Sequence, residues 1–154
     1  MSSEKIEKAA AYFDNGFCCS QAVFTTFATE YGIPEELALK MSTQFGGGAR
    51  KGEMCGSVSG ALMALGLKYG YSDGNAQEEK ELAHQKAEEF MNRFIEKKGT
   101  VVCRELLGHD LSKTGELEKC RESGIFKTLC PEMVRCAAEI VEQMLGEENQ
   151  TTHL

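Results

Sequence analysis

The side chains best equipped for chemistry in this sequence are its thiols. Seven cysteines occur, at Cys18, Cys19, Cys55, Cys103, Cys120, Cys130 and Cys136. A thiolate is a nucleophile, a soft metal ligand and one half of a disulfide. No two of these residues have CxxC spacing. That excludes a zinc ribbon, a thioredoxin-like motif and an ordinary ferredoxin run. Any site shared by several thiols must be assembled by the fold from distant segments.

Cys55 has the most distinctive surroundings, RKGEMCGSVSG. The residues at 56, 57, 59, 60, 61, 64 and 66 are all Gly, Ser or Ala. A helix of this composition lets a neighbouring backbone or a ligand approach closely, at about 1 kcal/mol for each interior glycine. Tight helix packing alone accounts for such a run. The position of Cys55 adds a second reading, because it falls at or just before a helix start. Free N–H groups and the helix dipole there favour a thiolate. Cys18 and Cys19 open another helix, Cys103 lies in a first turn after Thr100, and Cys130 precedes a proline suited to a first turn. Four helix starts thus offer a cysteine each. Their convergence would make an anionic centre, either a metal–thiolate site or a redox-active thiol pair. Cys120 lies in a charged connection and reads as incidental; Cys136 reads as a small core residue.

Other candidates are weaker. FGGGARKGE resembles a phosphate cradle, but Lys51 precedes Gly52 and no strand leads into it, so the P-loop pattern fails. It reads as a helix stop and linker, with Arg50 and Lys51 available to offset negative charge. His84 reads as exposed, His153 as part of the tail, and His109 as a loop residue before it is a ligand. Cys55 does not sit in a nucleophile elbow and no histidine–acid pair can be assigned to it, so no catalytic residue is named.

The elements that must position these thiols are helices throughout. Residues 3–13 form a first helix, stopped by Asp14-Asn15-Gly16. A second runs from Cys18 to Tyr31, and a third follows Pro34 and ends at Gly46-Gly47-Gly48. The segment 54–69 is the fourth. Over 76–98, Ala83, Ala87, Phe90, Met91, Phe94 and Ile95 mark one helical face. Thr100 can cap a short helix at VVCRELLG, and a helical turn is expected over 116–122. The last helix starts at Cys130-Pro131 and turns Met133, Val134, Ala137, Ala138, Val141, Met144 and Leu145 inward. Nothing alternates with a period of two. The expected fold is an all-α, single-domain bundle of about six or seven helices over residues 1–146, with a frayed tail at 147–154.

With 17 basic and 24 acidic side chains the formal charge is −7. No basic stripe appears, so a nucleic-acid partner is not expected. No apolar run is long enough to span a membrane, and the N-terminus carries charges from residue 4 onward, without a signal-peptide core. These features predict a cytoplasmic protein, where thiols stay reduced and are buried, metal-binding or redox-active.

Taken together, GFCCSQAV (16–23), FGGGARKGEMCGSVSGALMALGLKYG (45–70), CRELLGHDLS (103–112) and IFKTLCPEMVRCAAEIVEQML (125–145) resemble a family of small proteins named for their C…CGAxxG…C…C pattern. The resemblance implies an all-helical fold and a redox group such as an iron–sulfur cluster. It implies four site cysteines: Cys19, Cys55, Cys103 and Cys130. Cys19 rather than Cys18 matches, because Cys18 stands where the family commonly has Asn. CGAxxG is present as CGSVSG, with Ser57 in place of alanine. The resulting expectation is one site in which Cys19, Cys55, Cys103 and Cys130 bind an iron–sulfur cluster. Gly56, Ser57 and Gly60 would let backbone N–H groups approach the sulfurs. Zinc is the alternative metal, and a redox protein is the expected partner. Two other readings remain open: a metal-free thiol–disulfide protein, and an interaction module whose cysteines are core.

Overall fold

A computed structural model describes residues 3–147. Among them there are nine α-helices and no strand, so the all-α, single-domain expectation holds. The helices are α1 (Glu4–Asp14), α2 (Cys19–Ala28), α3 (Glu35–Ser42), α4 (Gly56–Tyr69), α5 (Gln77–Lys98), α6 (Cys103–Leu107), α7 (Glu116–Ser123), α8 (Ile125–Thr128) and α9 (Cys130–Gly146). The helix not expected among these is α8, a single turn too short to show a helical period. Gly124, at φ 76°, breaks α7 from α8.

Helix α2 is the centre of the molecule. Eight of its ten residues are buried, from Ser20 to Ala28 with Gln21 excepted. A helix apolar on all sides has to be surrounded, and α1, α3, α4 and α9 pack around it. Most buried hydroxyls on α2 and α3 find carbonyl acceptors; Thr25 Oγ1 is buried without a partner among the described residues. Ser20 Oγ donates to Ser42 O at 2.6 Å, and Thr26 and Ser42 bond back to carbonyls four residues earlier. Helix α5 lies on α4 and α9 and buries Phe90 and Phe94, stacked with centroids 6.0 Å apart. Ile95, expected on that inward face, is exposed, since it lies at the margin of a narrow apolar stripe. The inward face of α9 is as expected, with Leu145 half-buried.

Gly60 explains the closeness of α2 and α4. A Cβ there would lie 2.7 Å from Ser20 O and 3.3 Å from Phe24 N. The two backbones are therefore in contact, which a side chain would prevent.

At the end of the chain, Glu147 is bound: its carboxylate pairs with Arg93 at 2.9 Å. Glu147, expected in the tail, is therefore tied to α5. Residues 148–154, with His153, lie outside the described residues. No described helix is long and apolar enough to cross a membrane.

Candidate functional site

The helix starts carry the cysteines as expected. Cys18 is the N-cap of α2, and its N–H donates to the Gln21 side chain at 2.9 Å; Cys19 is the first helical residue. Cys55 is the N-cap of α4, Cys103 opens α6, and Cys130 opens α9 just before Pro131. A short backbone device joins two of these starts. Met54 and Val102 form an isolated antiparallel bridge, Cys55 N–H donates to Val101 O at 2.8 Å, and Cys103 N–H donates to Glu53 O. Two residues of ladder thus fix Cys55 beside Cys103. Two residues cannot produce a visible period-two pattern, so the sequence carried no sign of it.

The segment before Cys55 is wound rather than loose. Gly47, Gly48, Ala49, Arg50 and Gly52 all have φ between 56° and 69°. At Gly48 a Cβ would lie 2.4 Å from Glu53 N and 2.8 Å from the Cys103 Cβ. The glycines therefore admit a tight coil against α6, and the expected flexible linker is an ordered wall. Thr100 stands just outside α6 instead of capping it. Its hydroxyl accepts from Val102 N–H and donates to Glu105 at 2.6 Å.

Cys18, Cys19, Cys55, Cys103 and Cys130 all line one cavity of about 560 Å³. Gly56 and Ser57 share this wall. A Cβ on Gly56 would lie 2.4 Å from Cys19 Sγ and 3.0 Å from Phe45 O, so the glycine makes room for the sulfur itself. Gly60 is absent from the cavity wall and serves helix packing, unlike its expected role near the sulfurs.

The thiols sense one another. Cys19 donates a hydrogen bond to Cys55, which holds the Cys55 thiol below its ordinary pKa despite burial; the N–H groups of Ser57 and Val58 add to this. The same bond, with burial, pushes Cys19 well above its ordinary value. Cys55 therefore ionises first and Cys19 keeps its proton. Burial pushes Cys103 and Cys130 up to about 12, and interaction with neighbouring thiols adds to each. All seven thiols are free.

The remaining cysteines separate. Cys18 turns toward Ser20 Oγ, 3.2 Å away, and has no part in the Cys19–Cys55 pair. Cys136 is a buried core residue. Cys120 is fully buried and lies within electrostatic reach of Cys103 and Cys130, although it is not on the cavity wall. Its sequence signal was a single apolar spacing, Leu117 to Cys120, in a charged stretch. His84 is exposed, and His109 Nδ1 pairs with Glu116 at 3.0 Å.

Two observations test how well this wall suits a metal group. Ser57 Oγ is buried without a hydrogen-bond partner, an orphaned polar atom at the cavity. Four thiols on one wall are also the donor set that iron–sulfur clusters use. Among the described residues no three His, Cys, Asp or Glu side chains are grouped closely enough to stand as a metal site, so the fit rests on the donor type and the shared wall.

The fold and site define a small all-α protein whose cavity gathers partly and fully buried thiols from four helix starts. The chain belongs to the family described as "Putative redox-active protein (C_GCAxxG_C_C)", which residues 17–144 match. No curated protein and no solved structure matches it.

Proposed function

We propose that this redox-active family member holds an iron–sulfur cluster through Cys19, Cys55, Cys103 and Cys130, for electron transfer or redox sensing. The observation that carries the reading is the meeting of these four thiols on one cavity wall. A bound cluster would supply reversible electron storage. The chain's own part is to exclude water, direct the sulfurs inward and offer the N–H groups of Ser57 and Val58 to Cys55. A redox protein is the partner that an electron-transfer centre calls for. Seven free thiols suit a reducing compartment, which favours the cytoplasm.

The test is anaerobic purification from iron-replete cells, with an ultraviolet–visible spectrum and iron, sulfide and zinc analysis on one sample. Brown protein with matched iron and sulfide, lost in Cys55→Ser, is the expected result. Colourless protein that takes up no iron on reconstitution would overturn the reading.

The Cys19–Cys55 hydrogen bond favours a second reading, a metal-free dithiol. In that case the Cys55 thiolate attacks one sulfur of a partner's disulfide and expels the other as a thiolate. Cys19 then attacks Cys55 in the mixed disulfide, so that the partner leaves reduced to the dithiol and Cys19–Cys55 is left oxidised. Mild oxidation followed by peptide mapping distinguishes the two, because only the dithiol reading makes Cys19–Cys55 the functional bond.

A further inference from the structure

The cavity wall that carries the thiols also has a large apolar share. Phe13, Phe17, Leu111 and Phe126 supply an apolar surface, each only partly buried. The volume, about 560 Å³, falls in the range of about 300–1,000 Å³ typical of sites for small organic molecules. Among the described residues, the charged ones on the wall are both cationic, Arg50 and Arg121, and no Asp or Glu lines it. In a chain with 24 acidic and 17 basic side chains, this is a local reversal of charge. Arg121 is already paired with Glu118 at 2.8 Å. Arg50 has no ion pair among the described residues. Its backbone is held left-handed at φ 67°, beside Ala49 at 56°. Non-glycine residues adopt this conformation only where the surroundings enforce it, and such sites gather at ligand clamps.

We propose that the outer part of the cavity binds a small organic anion with an aromatic or otherwise apolar body, its charge met by Arg50 and its body lying between the helices and the thiols. The bound molecule would separate the thiol centre from solvent. This inference goes beyond the cluster reading and does not need it.

The probe is 2-naphthoate, titrated calorimetrically into the full chain as isolated, with 2-naphthylmethanol as its uncharged counterpart. Saturable binding of one naphthoate per chain is expected, weakened about tenfold in Arg50→Gln by loss of a charge-assisted hydrogen bond. Lys51→Gln, which alters a cation off the cavity wall, leaves affinity unchanged. Arg50→Gly suits the left-handed backbone, so it keeps or raises Tm while losing the same affinity. Absence of saturable binding, equal affinity for the alcohol, or full affinity in Arg50→Gln would each overturn the proposal. So would a dimer, seen by size exclusion, in which the second copy fills the cavity. Iron and sulfide are measured on the same samples, so binding without iron removes the cluster reading alone. Iron without binding removes this one alone.

Discussion

Three glycines on α4 allow the structural reasoning to be tested in one helix. A Cβ at Gly66 would meet nothing within 4 Å, one at Gly60 would strike the backbone of α2, and one at Gly56 would strike the sulfur of Cys19. Gly66→Ala should therefore return only the helix-propensity gain, about 0.5–1 kcal/mol of added stability. Gly60→Ala receives a similar gain but must force Ser20 O back from 2.7 Å, and the contacts at 3.2 and 3.3 Å are also backbone. Overpacking of this kind costs about 1–3 kcal/mol, and immobile backbone puts the cost at the upper end. The net expectation is a loss of about 2 kcal/mol, or a Tm lowered by roughly 4–8 °C for a chain of this size.

Gly56→Ala has a different consequence. Cys19 Sγ would have to retreat by about 1 Å from a 2.4 Å contact to reach ordinary separation, which takes it away from Cys55. The Cys55 thiol then loses its main hydrogen-bond donor, so its titration, read by the rate of iodoacetamide alkylation against pH, moves up. Gly66→Ala leaves that titration unchanged. If Gly60→Ala proves as stable as Gly66→Ala by thermal unfolding, the close approach of α2 and α4 is wrong. If Gly56→Ala keeps the wild-type Cys55 profile, the sulfur contact is wrong.

Further expectations follow from the same contacts. In metal-free protein Ser57→Ala removes a buried unpartnered hydroxyl and should raise stability by about 1 kcal/mol in chemical denaturation; if a loaded centre uses that hydroxyl, the sign reverses there. Cys103 and Cys130 are raised from 9.0 to about 12, so their burial stabilises the metal-free fold fully below pH 9. That contribution is lost as pH rises from 9 toward 12, and Cys103→Ser should flatten the decline seen by circular dichroism; an unchanged slope would contradict the assignment. Cys120→Ala should cost about 1 kcal/mol of packing and leave iron content unchanged, because Cys120 is off the cavity wall.

The helices were legible because each rests on local signals. Ser3, Gly32 and Gly99 cap or stop their helices where residue chemistry predicts. Cys18, Cys19, Cys55, Cys103 and Cys130 stand at such boundaries, as the local signals implied, whereas the preference for Cys19 over Cys18 came from the family resemblance. Cys120 and the apolar part of the cavity were not legible. Phe13, Phe17, Leu111 and Phe126 come from three separate segments and share no period, so only tertiary packing brings them together. Arg50 was read as a charge on a linker, since its left-handed backbone depends on the coil that Gly47, Gly48 and Gly52 permit.

That coil connects the two halves of the functional argument. Its glycines let Glu53 approach α6, where Glu53 O receives Cys103 N–H and so helps set Cys103 beside Cys55. The same turn directs Arg50 to the cavity wall. One short segment therefore helps hold Cys103 beside Cys55 and carries a cation of the same cavity wall. A substitution such as Gly48→Ala, with 2.4 Å to Glu53 N and 2.8 Å to the Cys103 Cβ, should disturb both at once. It should lower thermal stability and alter the reactivity of Cys103 and Cys55 together, whereas Arg50→Gly leaves both thiols as they are. Equal alkylation profiles in the two variants would mean that the coil does not hold the thiols in place.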